Sequence, residues 1–107
     1  MATINVSVEY RKSPGGQVDV LVDPPVARVK QGDEVRFTRK GTAPGRMKIT
    51  FDEQRFFSRP SLDGDGSITV AAKLSGRTTY RCELFDNAGN LLAVADGKAG
   101  GAFEPGV

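Results

Sequence analysis

The fold follows first from Thr3-Ile4-Asn5-Val6-Ser7-Val8-Glu9-Tyr10, in which polar and apolar side chains alternate without a break. Successive side chains of a β-strand point to opposite faces, so this stretch predicts a strand with one face in a hydrophobic core. The same alternation recurs in further runs, at 18–22, 35–37, 47–51, 68–72 and 80–84. Segments rich in Gly, Pro, Asn and Asp separate these runs. The chain is therefore predicted to be all-β, a single antiparallel Greek-key β-sandwich of about seven or eight strands.

Length and composition indicate one small globular domain. The chain has 107 residues, which is enough for one hydrophobic core without a metal or disulfide staple. We expect the domain to span 1–107, with a flexible Gly-rich C-terminal stretch over 97–107 in which only 102–104 return as a short edge strand. The 15 basic and 13 acidic side chains are interspersed and give a net charge of +2, which argues against a nucleic-acid partner.

Three features bear on the location of the protein. The single cysteine, Cys82, cannot form an internal disulfide. Residues 1–10 lack the basic start and the continuous apolar stretch of a signal peptide. No segment approaches the roughly 20 apolar residues that a membrane helix needs. We therefore expect a cytoplasmic protein that does not associate with membranes.

Segments covering much of the chain resemble the cupredoxins, the plastocyanin-like family of copper β-sandwiches. Residues 29–37 resemble the family's Gly-Asp turn and the core strand that follows it. Residues 44–52 resemble the segment that begins with the first copper histidine, and 76–82 resemble the strand that leads to the copper cysteine. The resemblance implies a cupredoxin-like sandwich in which Cys82 stands for the cysteine ligand. Met47 and Phe85 then occupy the positions of the two histidines.

The chain has no histidine, so the family's copper function is not carried over. Blue-copper sites need two imidazole nitrogens beside the thiolate. Tyr80-Arg81-Cys82 also resembles the Tyr-x-Cys motif of immunoglobulin domains, and an immunoglobulin-like sandwich is therefore the alternative fold. The chain lacks the second cysteine and the core tryptophan of those domains, since it has one Cys and no Trp.

Cys82 is the one candidate for a reactive group. It shares a predicted strand face with Tyr80 and Leu84, and free cysteines are among the most buried residues, so we expect a packed core thiol. The alternative is a soft-metal or redox protein in which Cys82, with Met47, holds copper. We expect no cofactor and no enzymatic activity, because the chain has no histidine base, no nucleophile elbow and no phosphate-binding loop.

Two surfaces are predicted to bind a partner. One is the end of the sandwich near Met47 and Phe85, where these apolar side chains would fill the corner that copper occupies in the resembling family. The other is the loop 51–60, which mixes aromatic and cationic side chains as interface hot spots do. The candidate residues of the loop are Arg55, Phe56, Phe57 and Arg59. One of the two phenylalanines is expected to cap the core and the other to be exposed.

The sequence thus predicts a metal-free binding module with an unidentified protein partner. A homodimer formed through an unpaired sheet edge is a further hypothesis, with the N-terminal strand as the candidate edge because its outer face carries little charge. The segment Asp63-Gly64-Asp65-Gly66 is predicted to be a polar hairpin turn, since an EF-hand calcium loop would need a glutamate where Leu74 stands.

Overall fold

The computed structural model describes residues 2–95 and 100–106, and these form two β-sheets that pack against each other. One turn of 3-10 helix, Gln54–Phe56, follows β5. No helix in the described residues is long and apolar enough to cross a membrane. The ten strands of the described residues are β1 (Thr3–Lys12), β2 (Val18–Asp23), β3 (Val26–Val29), β4 (Glu34–Lys40), β5 (Arg46–Phe51), β6 (Ser61–Asp63), β7 (Gly66–Thr69), β8 (Thr78–Phe85), β9 (Leu91–Ala95) and β10 (Gly101–Pro105).

The strand order within the sheets confirms an all-β sandwich and corrects the expectation of purely antiparallel sheets. The first sheet has the order β2-β1-β4-β7, and the second has the order β3-β10-β8-β5-β6 with β9 also paired to β8. Among the described strands, each sheet contains one parallel pair, β1 with β4 and β3 with β10. Parallel pairing needs a long connection between the two strands. Here β2 and β3 lie between β1 and β4 in the chain, and β4 to β9 lie between β3 and β10.

The alternating runs predicted from the sequence do form the inner faces of the sheets. Apolar side chains from both sheets meet in one core, and its largest fully buried members are aromatic. The Tyr80 ring centroid lies 5.3 Å from that of Phe37 and 5.0 Å from that of Phe103. Aromatic pairs at these separations contribute about 0.5–1.5 kcal/mol each beyond the area they bury.

The C-terminal region corrects a second expectation. Residues Gly101–Pro105 are not a flexible tail, because they form β10, and β10 lies between β3 and β8 rather than at an edge. The Phe103 side chain is fully buried, and its packing against other aromatic rings explains why a glycine-rich segment is ordered here. The rest of the expected flexible stretch, at 97–99 and 107, lies outside the described residues.

The N-terminal strand is not the open edge that the sequence suggested. β1 lies between β2 and β4 and pairs with both over most of its length. The residue pattern of its outer face therefore reflects a solvated sheet face and not an exposed edge. In the described residues the strands at sheet borders are β2 and β7 in the first sheet, and β3, β6 and β9 in the second.

Candidate functional site

An open cleft with a volume of about 770 Å³ lies at one end of the sandwich. This size falls within the range of roughly 300–1,000 Å³ that is typical of ligand-binding pockets. We call it the end cleft and define it by the residues that line it: Arg39, Gly45, Arg46, Met47, Lys48, Asp63, Gly64, Asp65, Phe85 and Gly89. The lining combines an aromatic ring with side chains of both charges.

The link between β6 and β7 forms one side of the end cleft. Asp63 ends β6 in the second sheet, and Gly66 begins β7 in the first. The expected hairpin turn is therefore a crossing from one sheet to the other, because the two strands pair with β5 and β4 and not with each other. Asp65 fixes the crossing, since its Oδ1 accepts a hydrogen bond of 2.8 Å from the backbone N–H of Arg39.

Gly45 brings two segments of the cleft wall into close contact. Its φ of +134° is unfavourable for any residue with a side chain, and a Cβ at this position would lie 2.7 Å from the carbonyl oxygen of Phe85. The next residue, Arg46, is the cross-strand partner of Phe85. A glycine is therefore required where β5 begins beside the end of β8.

The cations of the end cleft differ in how they are bound. Arg39 is held by neighbouring residues of the cleft wall, because its guanidinium lies 5.5 Å from the Tyr10 ring centroid and donates a hydrogen bond to the carbonyl oxygen of Ala43. Within residues 2–95 and 100–106, the side chains of Arg46, Lys48 and Asp63 make no ion pair and no hydrogen bond. Two cations and one carboxylate of the cleft are thus available to a ligand.

Both residues predicted at this end of the sandwich do line the end cleft. Met47 is only 1% exposed and packs in the core, whereas Phe85 is half-buried. Phe85 stands at an irregularity in the pairing of β8 with β9, where its partner is Leu91. The aromatic ring of Phe85 is therefore the apolar surface that a ligand can contact, and Met47 supports the wall from within.

The loop 51–60 lies at the opposite end of β5, so the structure does not bring the two predicted surfaces together. Phe56 and Phe57 are each only 6% exposed, which corrects the expectation that one of these rings is exposed. The Phe57 ring centroid lies 4.8 Å from that of Phe51. Burial of both rings is favoured because the 3-10 turn points them at the core, so only Arg55 and Arg59 remain exposed in this group.

Arg55 is partly occupied within the loop itself. Its guanidinium lies 4.7 Å from the Phe56 ring centroid, and its Nη2 lies 3.3 Å from a carboxylate oxygen of Glu53. An exposed ion pair of this kind contributes at most about 1 kcal/mol. The loop therefore offers a partner isolated charges without an apolar surface, and the end cleft is the better candidate site.

Cys82 is fully buried on the inner face of β8. Burial raises the pKa of its thiol to about 12, against a smaller lowering by the backbone N–H of Gly101. Its cross-strand partner is Ile49, so Met47 lies diagonally from it on the same sheet face. These two sulfur atoms are the soft donors at this end of the core, and in the described residues no group of three His, Cys, Asp or Glu side chains is arranged to hold a metal ion.

A scan against protein-family models and a search of curated proteins find no match to this chain. The functional conclusion therefore depends on the fold and on the geometry of the end cleft.

Sequence reasoning missed the charged residues that line the end cleft. Arg46 and Lys48 flank Met47 on β5, so their alternation with a buried residue was a usable signal that they share the outer face. Arg39 and Asp65 gave no such signal, because they come from strands and turns far apart in the chain. Their approach depends on the crossing between the sheets.

Proposed function

We propose that the protein is a metal-free binding module whose end cleft receives a short peptide segment of a partner protein. One observation carries this proposal: the half-buried Phe85 ring lies in an open cleft with Arg46, Lys48 and Asp63, whose side chains make no ion pair and no hydrogen bond within the described residues. Pockets that bind ligands combine an apolar surface with a few polar groups that fix orientation.

The chemistry of the cleft suits a peptide. A peptide supplies an apolar side chain for the Phe85 ring, an acidic side chain or terminus for Arg46 and Lys48, and an amine or amide for Asp63. Charged hydrogen bonds of this kind are roughly twice as strong as neutral ones, and they set the orientation of the bound segment. The volume of about 770 Å³ holds a few residues and not a folded domain.

The environment of Cys82 supports the metal-free part of the proposal. Its thiol is buried and neutral, and soft-metal sites need a thiolate together with two or three further donors. The cupredoxin-like character of the sandwich is also a proposal, supported by the segments 29–37, 44–52 and 76–82 together with the all-β architecture. The absence of enzymatic activity and the cytoplasmic location stay predictions from the sequence.

Selection of peptides on the immobilised protein tests the proposed function. The probe is a random heptapeptide library displayed on phage, and enriched peptides are then measured by fluorescence anisotropy. We expect Phe85→Ser and the double variant Arg46→Ser/Lys48→Ser to weaken the enriched peptides at least 10-fold. The matched control is Arg55→Ser/Arg59→Ser at the far end of β5, which should change the affinity less than 2-fold. Enrichment of no peptide, or of peptides that ignore the cleft variants, would refute the proposal.

The alternative function, soft-metal binding or redox chemistry at Cys82, makes a different prediction. Titration of the reduced protein with Cu(I), followed by native mass spectrometry, should show no stoichiometric complex. A tight one-to-one complex that is lost in Cys82→Ser would replace the metal-free proposal with a copper function. Copper bound equally by Cys82→Ser would leave the core thiol without a metal role.

A further inference from the structure

The large apolar side chains that are exposed in the described residues collect on two neighbouring strands. Leu91, Leu92 and Val94 of β9 are 51%, 44% and 46% exposed, and Leu21 of β2 is 46% exposed. The two strands belong to different sheets and contact each other. A concentration of apolar surface at one border of a sandwich is typical of an interaction surface.

Within residues 2–95 and 100–106, the free edge of β9 lacks the usual protection against pairing. In the described residues β9 pairs only with β8, and its other edge presents unpaired backbone N–H and C=O groups. Proteins usually guard such edges with lysine, proline, an inward charge or a covering segment. The sequence of β9 is Leu-Leu-Ala-Val-Ala, without charge or proline, and its pairing irregularity is confined to the end at Leu91.

The other border strands are less suited to pairing. β2 carries Asp19 and Asp23, and β3 carries Arg28, and charged side chains on an edge strand protect it against pairing with another strand. The edge of β7 is partly covered, because Ser58 accepts the N–H of Thr69 and residue 57 forms a bridge with residue 70. β6 has three residues and ends at Asp63. As far as the structure describes the chain, β9 is the border strand that is both open and uncharged.

We propose that two copies of this chain associate by antiparallel pairing of β9 with β9 about a two-fold axis. Full overlap of the five-residue strand places Ala93 on the axis and Leu92 opposite Val94 of the second copy. Every cross-strand pair is then apolar and no like charges meet, whereas a charged partner strand would find no complement here. An interface of this type is self-complementary, as two-fold symmetry requires.

The pairing is independent of the peptide proposed for the end cleft, because it uses the backbone edge of β9 and the outer side chains of Leu92 and Val94. One added strand pair buries less area than a standard interface, so the association is expected to depend on concentration. Two β9 strands would join the second sheets of both copies into one continuous sheet.

Sedimentation equilibrium of the unmodified protein is the first test. The weight-average mass should rise from 11.4 kDa in dilute solution towards twice that value as the concentration approaches about 1 mM. The variant Val94→Lys should lower the dimer fraction at least 5-fold, and it is compatible with folding because its partner on β8 is Glu83. The matched control is Thr69→Lys, an exposed position on β7, which should dimerise like the unmodified protein.

Several results would overturn the proposal. A weight-average mass that stays at 11.4 kDa up to about 1 mM would show that the protein does not dimerise through β9. The edge of β9 would then be open to a strand of a different protein. A dimer that survives Val94→Lys, or one that is lost equally in Thr69→Lys, would place the contact elsewhere.

Cross-linking tests the register without relying on a loss of association. In the double variant Leu92→Cys/Val94→Cys, mild oxidation should give a covalent dimer through the pairs that the two-fold axis places opposite each other. Cys82 does not interfere because its thiol is fully buried. The matched control is the double variant Ser67→Cys/Thr69→Cys on β7, which should stay monomeric. A covalent dimer of the control but not of the β9 variant would refute the pairing.

Discussion

The backbone of Gly101 lies against the ring of Tyr80. The two residues are cross-strand partners in β10 and β8, and a Cβ placed on Gly101 would be 1.9 Å from Tyr80 Cζ. No real side chain tolerates such an approach, so the position of β10 depends on a glycine here. The same contact lets Tyr80 reach the centre of the aromatic core, where it meets Phe37 and Phe103.

Gly101→Ala is expected to lower the free energy of unfolding by about 3 kcal/mol or more, because the new methyl group must displace the Tyr80 ring from a packed core. Urea denaturation measures the change. Gly76→Ala is the matched control, since a Cβ there meets nothing within 4 Å, and it should change stability by less than about 1 kcal/mol. In a Tyr80→Leu background the cost of Gly101→Ala should shrink. An unchanged cost would mean that the ring is not the obstacle.

Phe57→Ala is expected to destabilise the protein by about 3–5 kcal/mol, because it removes a buried ring that packs against Phe51 and Phe103. The exposed neighbour Arg59 provides the control, and Arg59→Ala should stay within about 0.5 kcal/mol. Both values come from chemical denaturation. A small effect of Phe57→Ala would restore the earlier expectation that one ring of this loop faces a partner.

Cys82 should react with a disulfide reagent such as DTNB only when the protein opens. The thiol is fully buried, and burial raises its pKa to about 12, so almost no thiolate is present at pH 8. We expect modification of the native protein at least 100-fold more slowly than that of the exposed control variant Ser75→Cys/Cys82→Ala. Fast modification of native Cys82 would contradict the core position of the thiol and would favour the redox alternative.

The same thiol predicts a loss of stability at alkaline pH. The pKa of Cys82 is raised from its ordinary value of 9.0 to about 12, so above pH 9 the unfolded chain releases the thiol proton while the folded protein retains it. Its contribution is fully present below pH 9 and is lost at about 1.4 kcal/mol per pH unit until pH 12. Tyr10 and Tyr80 also have pKa values raised by burial, so the thiol is isolated by comparison with Cys82→Ala. Parallel pH profiles for the two proteins would contradict the prediction.

Asp33 predicts a loss of stability at acid pH. Its carboxylate accepts the backbone N–H groups of Lys30 at 2.9 Å and Ala2 at 3.0 Å, and these hydrogen bonds lower its pKa. A lowered pKa means that the contribution is present above the ordinary value of 3.8 and is lost as the pH falls through the folded value. We expect Asp33→Asn to cost about 1–3 kcal/mol at pH 7 and less at pH 3. The exposed Asp19→Asn is the control. An equal cost of Asp33→Asn at pH 7 and pH 3 would show that the negative charge of Asp33 does not cause the stabilisation.

The sequence alone determined the class of fold and most of the inner surface. In each strand the alternation of side chains has a period of two, so local chemistry was enough to assign Val6, Val8 and Tyr10, and later Tyr80, Cys82 and Leu84, to the core. Burial of Cys82 followed from the same pattern.

Only the tertiary structure decided which strands are neighbours and what surfaces they create. Strand order depends on contacts between distant segments, and the period of two is the same for a central strand and an edge, so β1 and β9 could not be told apart. For the same reason the sequence predicts an edge strand at 102–104, whereas β10 lies between β3 and β8. The end cleft exists because the chain crosses between the sheets at Gly64 and Asp65, which brings Arg39 beside residues of β5 and β8. The local sequence around Arg39 does not predict its contact with β5 and β8, because that contact depends on the packing of distant segments.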